Sequence, residues 1–134
     1  MLRMLSLSCL FSAIGLFSSH TAGAADLTGA ELASMFHGKT AYIDFAPNKQ
    51  GTGGGPGAIY YHADGKVVGR RADVQVRTGM RIIKDNTTCL TWDGSPTAPC
   101  ARLEKDGDKL KVIGVDGTAL GTILKIVDGN PEKL

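Results

Sequence analysis

The sequence is poor in aromatic residues, at 6%, and has little excess of charge of either sign. Its 15 Lys+Arg stand against 13 Asp+Glu, a formal net charge of +2. That balance leaves no electrostatic footprint for nucleic acid or for an anionic membrane surface, and neither is expected as a partner. Basic residues do not cluster beyond the pair Arg70-Arg71, which reads as solvated surface charge. No apolar stretch reaches the roughly 18 residues that a transmembrane helix needs. No Gly-x-Ser-x-Gly elbow occurs, and beyond residue 24 serine is found only at Ser34 and Ser95. Cysteine is limited to Cys9, Cys89 and Cys100, with no C-x-x-C spacing and no histidine beside the last two. A redox motif and a zinc shell are therefore not expected. These absences predict no catalytic residue, no metal and no cofactor.

What is present begins with an N-terminal targeting pattern. Arg3 supplies a positive charge, an apolar stretch runs from Met4 to Phe17, and Ala22-Gly23-Ala24 precedes Ala25. A charged start, a short apolar core and an A-x-A site mark a signal peptide over residues 1–24, cleaved after Ala24. Cys9 lies inside it with no apolar run before it, unlike a lipid-anchored start. The pattern predicts a periplasmic or secreted protein. Without Arg3, 14 basic residues face 13 acidic ones. Residues 25–134, about 110 in all, fit a single domain with a modest core.

One helix is marked by its ends. Thr28-Gly29-Ala30-Glu31 has the form of a capping box, and Leu27 and Leu32 stand at the positions of a hydrophobic staple. Leu32, Met35 and Phe36 form one apolar stripe, and Gly38 supplies the stop. The pattern predicts a helix over 29–37 that must dock on something, since so short a helix is unstable alone.

From Lys39 onward the chain reads as strands and turns. Thr40 to Phe45 is rich in β-formers. Ala58 to His62 and Lys66 to Arg70 flank Ala63-Asp64-Gly65, a hairpin signal. Val74 and Val76 alternate with polar neighbours. Met80 to Ile83 and Thr88 to Trp92 flank Lys84-Asp85-Asn86. Arg102 to Glu104 pairs with Lys109 to Ile113, and Val112 to Val115 with Ala119 to Val127. Asp128-Gly129-Asn130-Pro131 is expected to end the ordered chain. The spacing predicts an all-β fold: an antiparallel meander of about eight strands in a small barrel or sandwich, with one short N-terminal helix plugging an end or lying across an opening.

Cys89 and Cys100 bracket Asp93 to Pro99, made almost wholly of turn residues. In an exported domain this pair is read as a disulfide worth roughly 3 kcal/mol. The run Gly51 to Gly57 lacks the Gly-Lys-Ser/Thr of a phosphate loop and reads as a flexible connection, or as a lip beside a ligand opening. Asp106 and Asp108 begin like a calcium loop whose other ligands are missing. Binding candidates are Tyr60, Tyr61, His62, Asp64 and Trp92. Tyr60 and Tyr61 are consecutive on a strand, so one points in and one out. His62 and Asp64 are the residue types for acid–base work, and are the pair on which an envelope enzyme would rest.

Together, Leu27-Thr28-Gly29-Ala30-Glu31-Leu32, Gly38-Lys39-Thr40, Tyr60-Tyr61-His62-Ala63-Asp64-Gly65, Gly79 with Lys84-Asp85, and Cys89-Leu90-Thr91-Trp92 with Cys100 form an ordered pattern. It resembles small exported bacterial proteins of unknown function with a lipocalin-like, or calycin-like, β-barrel. Where such relatives carry Gly-x-Trp, this chain has Gly79-Met80-Arg81. The resemblance implies a barrel and carries no catalytic residues. The expected function is a non-enzymatic, monomeric domain that binds a small ligand or an envelope protein. A ligand-binding barrel predicts an apolar interior cavity with a few convergent polar groups. A protein-binding version, such as a hydrolase inhibitor, predicts a filled core and a protruding loop at 93–99 or 47–57.

Overall fold

The computed structural model describes residues 25–71 and 76–134. The expected signal peptide and Val74 lie outside the described residues. The described chain comprises α1 (Gly29–Phe36), β1 (Lys39–Phe45), β2 (Gly55–Tyr61), β3 (Lys66–Arg71), β4 (Arg77–Lys84), β5 (Thr87–Trp92), β6 (Cys100–Asp106), β7 (Lys109–Gly114) and β8 (Ala119–Asp128). The strands form an antiparallel closed barrel in sequence order. Closure resolves the choice between barrel and sandwich. β1 uses one edge for β2 and the other for β8, with seven residue pairs on each side, so no long edge is left unpaired.

Antiparallel connection in sequence order puts alternate turns at opposite ends. Three tight turns gather at one end: 62–65, 85–86 and 107–108. Longer connections at 46–54 and 93–99, with 115–118, gather at the other.

The helix closes the tight-turn end. Its capping box forms as expected: the Thr28 hydroxyl accepts from the Glu31 amide, and the Glu31 carboxylate accepts from the Thr28 amide at 2.8 Å. Leu27 and Leu32 are both fully buried. The residues before the helix are pinned to β6, with the Leu27 amide donating to Leu103 O and the Lys105 amide to Ala25 O. The first helical turn is held to the β4–β5 turn by the Gly29 amide, which donates to Asn86 Oδ1 at 3.0 Å. The helix ends at Phe36, one residue earlier than expected, because His37 is extended and Gly38 takes a left-handed φ of 69°. The Gly38 amide then donates to Tyr61 O, starting β1 directly beside β2.

Two expectations are corrected. The glycine run is not one connection: Gly55, Pro56 and Gly57 belong to β2 and pair with Phe45, Asp44 and Ile43. The reason is close approach, since a Cβ at Gly57 would stand 2.6 Å from Phe45 Cε2. Nor does order stop at Pro131. The Tyr42 hydroxyl donates to Glu132 at 2.7 Å, and Arg70 pairs with the same carboxylate at 2.6 Å. Asn130 and Leu134 also exchange two hydrogen bonds, so the C-terminal residues fold back on the outer wall. Lys109–Gly114 serves both of the last hairpins as a single strand.

Candidate functional site: the barrel interior

An eight-stranded barrel has an interior just wide enough to be filled by side chains or to hold one small ligand. Here the two halves of the interior differ. Near the helix, Leu27, Leu32, Phe36, Tyr61, Leu103 and Leu110 pack into a core. Toward the other end the wall carries small residues, Gly114 and Ala119, which leave space. The result is an open cavity of about 750 Å³ whose lining is mainly apolar, including Phe36, Ile43, Phe45, Leu90, Trp92 and Ile123. That volume is in the range that takes a small organic molecule. Wall thickness matters as well. Gly69 faces Trp92, where a Cβ would stand 2.7 Å from Cη2, so the indole packs closely against β3. Phe45 is seated over Gly57 in the same way.

Three polar side chains break the apolar lining near its floor. Arg81, on β4, is only 7% exposed. Its Nη1 donates to Leu32 O at 3.2 Å, and its guanidinium lies 5.0 Å from the Tyr61 ring centre and 5.7 Å from that of Phe36. Among the described residues no carboxylate lies within ion-pair distance of it. Burial lowers its pKa, opposed weakly by Tyr61. Tyr61 packs against Phe36 with ring centres 4.9 Å apart, and burial pushes its phenol up to about 12. Thr88, on β5, has a buried Oγ1 with no hydrogen-bond partner among the described residues.

The mouth is built differently. Asn48 organises the β1–β2 loop, its Oδ1 accepting from the amides of Gln50 and Thr52. Arg71 reaches across with Nη1 donating to Gly53 O, and its guanidinium sits 4.4 Å from the Phe45 ring centre. Asp116 caps the β7–β8 turn by accepting from the Thr118 amide at 2.9 Å, which lowers its pKa. The loop at 46–54, which holds only Gly51 to Gly54 of the glycine run, thus lies at the opening and is tied by internal hydrogen bonds. The expected disulfide joins Cys89 and Cys100. It clamps two directly opposed residues of β5 and β6, a ladder of only two pairs. The bridge therefore holds the weakest seam of the wall, and Cys100 borders the cavity.

The sequence-predicted residues separate into two groups. Tyr61 and Trp92 point inward and line the cavity. Tyr60 points outward and packs edge-on against His62 at 4.5 Å. His62 and Asp64 lie at the helix-closed end, outside the cavity lining. The Asp64 carboxylate accepts from the Lys66 amide at 3.0 Å within its own turn, and this bond holds its pKa down. Arg81 and Thr88 were not among the candidates. Arg81 sits in Met80-Arg81-Ile82, where apolar neighbours invite the opposite reading, yet Met80 and Ile82 are 44% and 61% exposed. Register decides the face, because a one-residue slip turns every side chain over. An arginine alternating with Gly79 and Ile83 was the available signal, and it does not reveal which set faces in.

No group of His, Cys, Asp and Glu suited to holding a metal ion occurs among the described residues. None of their helices is long and apolar enough to cross a membrane. No family model matches the chain, and no curated protein or solved structure is significantly similar to it.

Proposed function

We propose that this protein is an exported carrier or sensor that binds a small, largely apolar molecule inside its barrel. The observation that carries the reading is the open cavity of about 750 Å³, apolar in its walls and polar at a few convergent points. A hydrolase-inhibitor role calls instead for a filled core. The signal-peptide pattern and the disulfide support an oxidising compartment for the binding event. The hairpin pair His62 and Asp64 offers little support for an enzyme, since its carboxylate is engaged in turn formation.

The direct test is native mass spectrometry of the oxidised protein purified from the cells that export it. A non-covalent adduct of small-molecule mass, released on unfolding, is expected. Trp92 is the single tryptophan and lines the cavity, so its emission should change on ligand addition. A ligand-free protein whose Trp92 emission ignores a broad panel of apolar probes would remove the proposal.

A further inference from the structure

We infer that the ligand is an amphiphilic monocarboxylate, seated with its acid group on Arg81 and Thr88 at the cavity floor and its apolar body toward the mouth. The inference rests on the ligand-binding reading above and adds the chemical class and orientation of the ligand.

Four observations carry it. First, Arg81 is only 7% exposed, and it lines the cavity. A guanidinium has five N–H donors in a planar fork, and here one of them meets Leu32 O. A structural latch to the helix requires only that bond. Burying the remaining charge is costly without a counter-charge. Second, the contacts of the Arg81 guanidinium among the described residues are neutral: the Leu32 carbonyl and the rings of Phe36 and Tyr61. The phenol of Tyr61 stays protonated at ordinary pH, so it supplies no counter-charge.

Third, Thr88 Oγ1 is a buried hydroxyl with no hydrogen-bond partner among the described residues, and its residue lines the same cavity. Arg81 pairs with Leu90 and Ile83 with Thr88, so Arg81 and Thr88 are diagonal neighbours on the inner face of one hairpin. Diagonal neighbours have backbones about 7–8 Å apart. A carboxylate taking two N–H bonds from the fork would accept a third from the Thr88 hydroxyl once that side chain turns its Oγ1, buried here, into the cavity. Fourth, the cavity above these groups is lined by Ile43, Leu90, Trp92 and Ile123 and opens at the far end. An apolar body fits there, whereas a small polar anion would leave these walls uncovered. The head-inward orientation follows, because the floor is closed by the helix and the mouth lies away from Arg81.

The test uses three probes of matched chain: dodecanoate, dodecanol and dodecylammonium, titrated at neutral pH against Trp92 emission in the oxidised protein. Dodecanoate is expected to bind about tenfold or more tighter than dodecanol, the scale of a hydrogen bond to a charged group. Dodecylammonium should be weakest, since it would bury a second cation beside Arg81. The Arg81→Met variant should lose the preference for the acid while keeping its affinity for the alcohol. If that variant does not fold, Thr88→Val carries the test: it keeps the side-chain shape and should narrow the preference several-fold. Equal affinity of wild-type protein for acid and alcohol would overturn the inference and leave the cavity reading standing. Failure of all three probes to bind would count against both.

Discussion

The two ends of this barrel solve opposite problems. The helix end is sealed by short turns, a capped helix and a cluster of fully buried side chains, Leu27, Leu32 and Phe36 among them. The mouth end has longer connections, small wall residues and a lip held by Asn48 and Arg71. Stability is concentrated at the first and access at the second. An eight-stranded barrel of modest core can be hollow because the helix supplies at one end the packing that the cavity forfeits at the other.

The largest effect is expected from opening the sealed end. Phe36→Ala should destabilise by about 3–5 kcal/mol, since it leaves a void beneath Tyr61 and Arg81. Leu120→Ala, at the mouth and already 37% exposed, should cost less than about 1 kcal/mol. Urea unfolding of both variants checks the contrast, and equal losses would refute the division of labour.

Next in size is the β5–β6 seam of the wall. Reducing Cys89–Cys100, or replacing both by serine, should cost roughly 3 kcal/mol in the chain-entropy picture. The two-pair β5–β6 ladder should then exchange its amide hydrogens far faster than the seven-pair β1–β8 ladder. Hydrogen exchange with and without reductant reads this directly. A uniform change across the barrel would show that the bridge is not a local clamp.

A smaller effect is expected at the helix cap. Thr28→Ala removes the hydroxyl that accepts from the Glu31 amide and should cost about 1 kcal/mol by thermal or urea unfolding. Its influence should stay at the sealed end and leave probe affinity unchanged.

The last difference has no consequence near neutral pH. Tyr61 has its pKa raised from 10.0 to about 12 by burial. A group whose folded pKa is raised contributes stability that is complete below the unfolded value and is lost as pH rises through the folded one. The sealed end should therefore weaken between about pH 10 and 12, following tyrosinate absorbance. In the Tyr61→Phe variant that part of the alkaline loss should disappear. If the loss persists unchanged in the variant, Tyr61 is not its source.

Much of the framework was legible in the residues. The capping box at Thr28 and Glu31, the staple at Leu27 and Leu32 and the stop at Gly38 are local signals, and local hydrogen bonds satisfy them. Asp-Gly between alternating runs marked the β2–β3 hairpin, and Gly65 takes the positive φ of 94° that the turn requires. The site was only half legible. Tyr61 and Trp92 were named as candidates because strand aromatics are conspicuous. Arg81 was missed because alternation tells that a strand has two faces and not which one is inside. Gly55–Gly57 was misread for a related reason: its place in β2 depends on the Phe45 ring of the neighbouring strand.

The helix and its N-terminal cap, the antiparallel order of the strands and the cysteine pair follow from the sequence, because each depends on contacts between near neighbours in the chain. Tertiary structure alone decided that β1 meets β8, that Arg81 and Thr88 share a floor, and that the wall above them is thin enough to leave a cavity. Those outcomes depend on register and closure, which join residues far apart in sequence, and no local pattern encodes them.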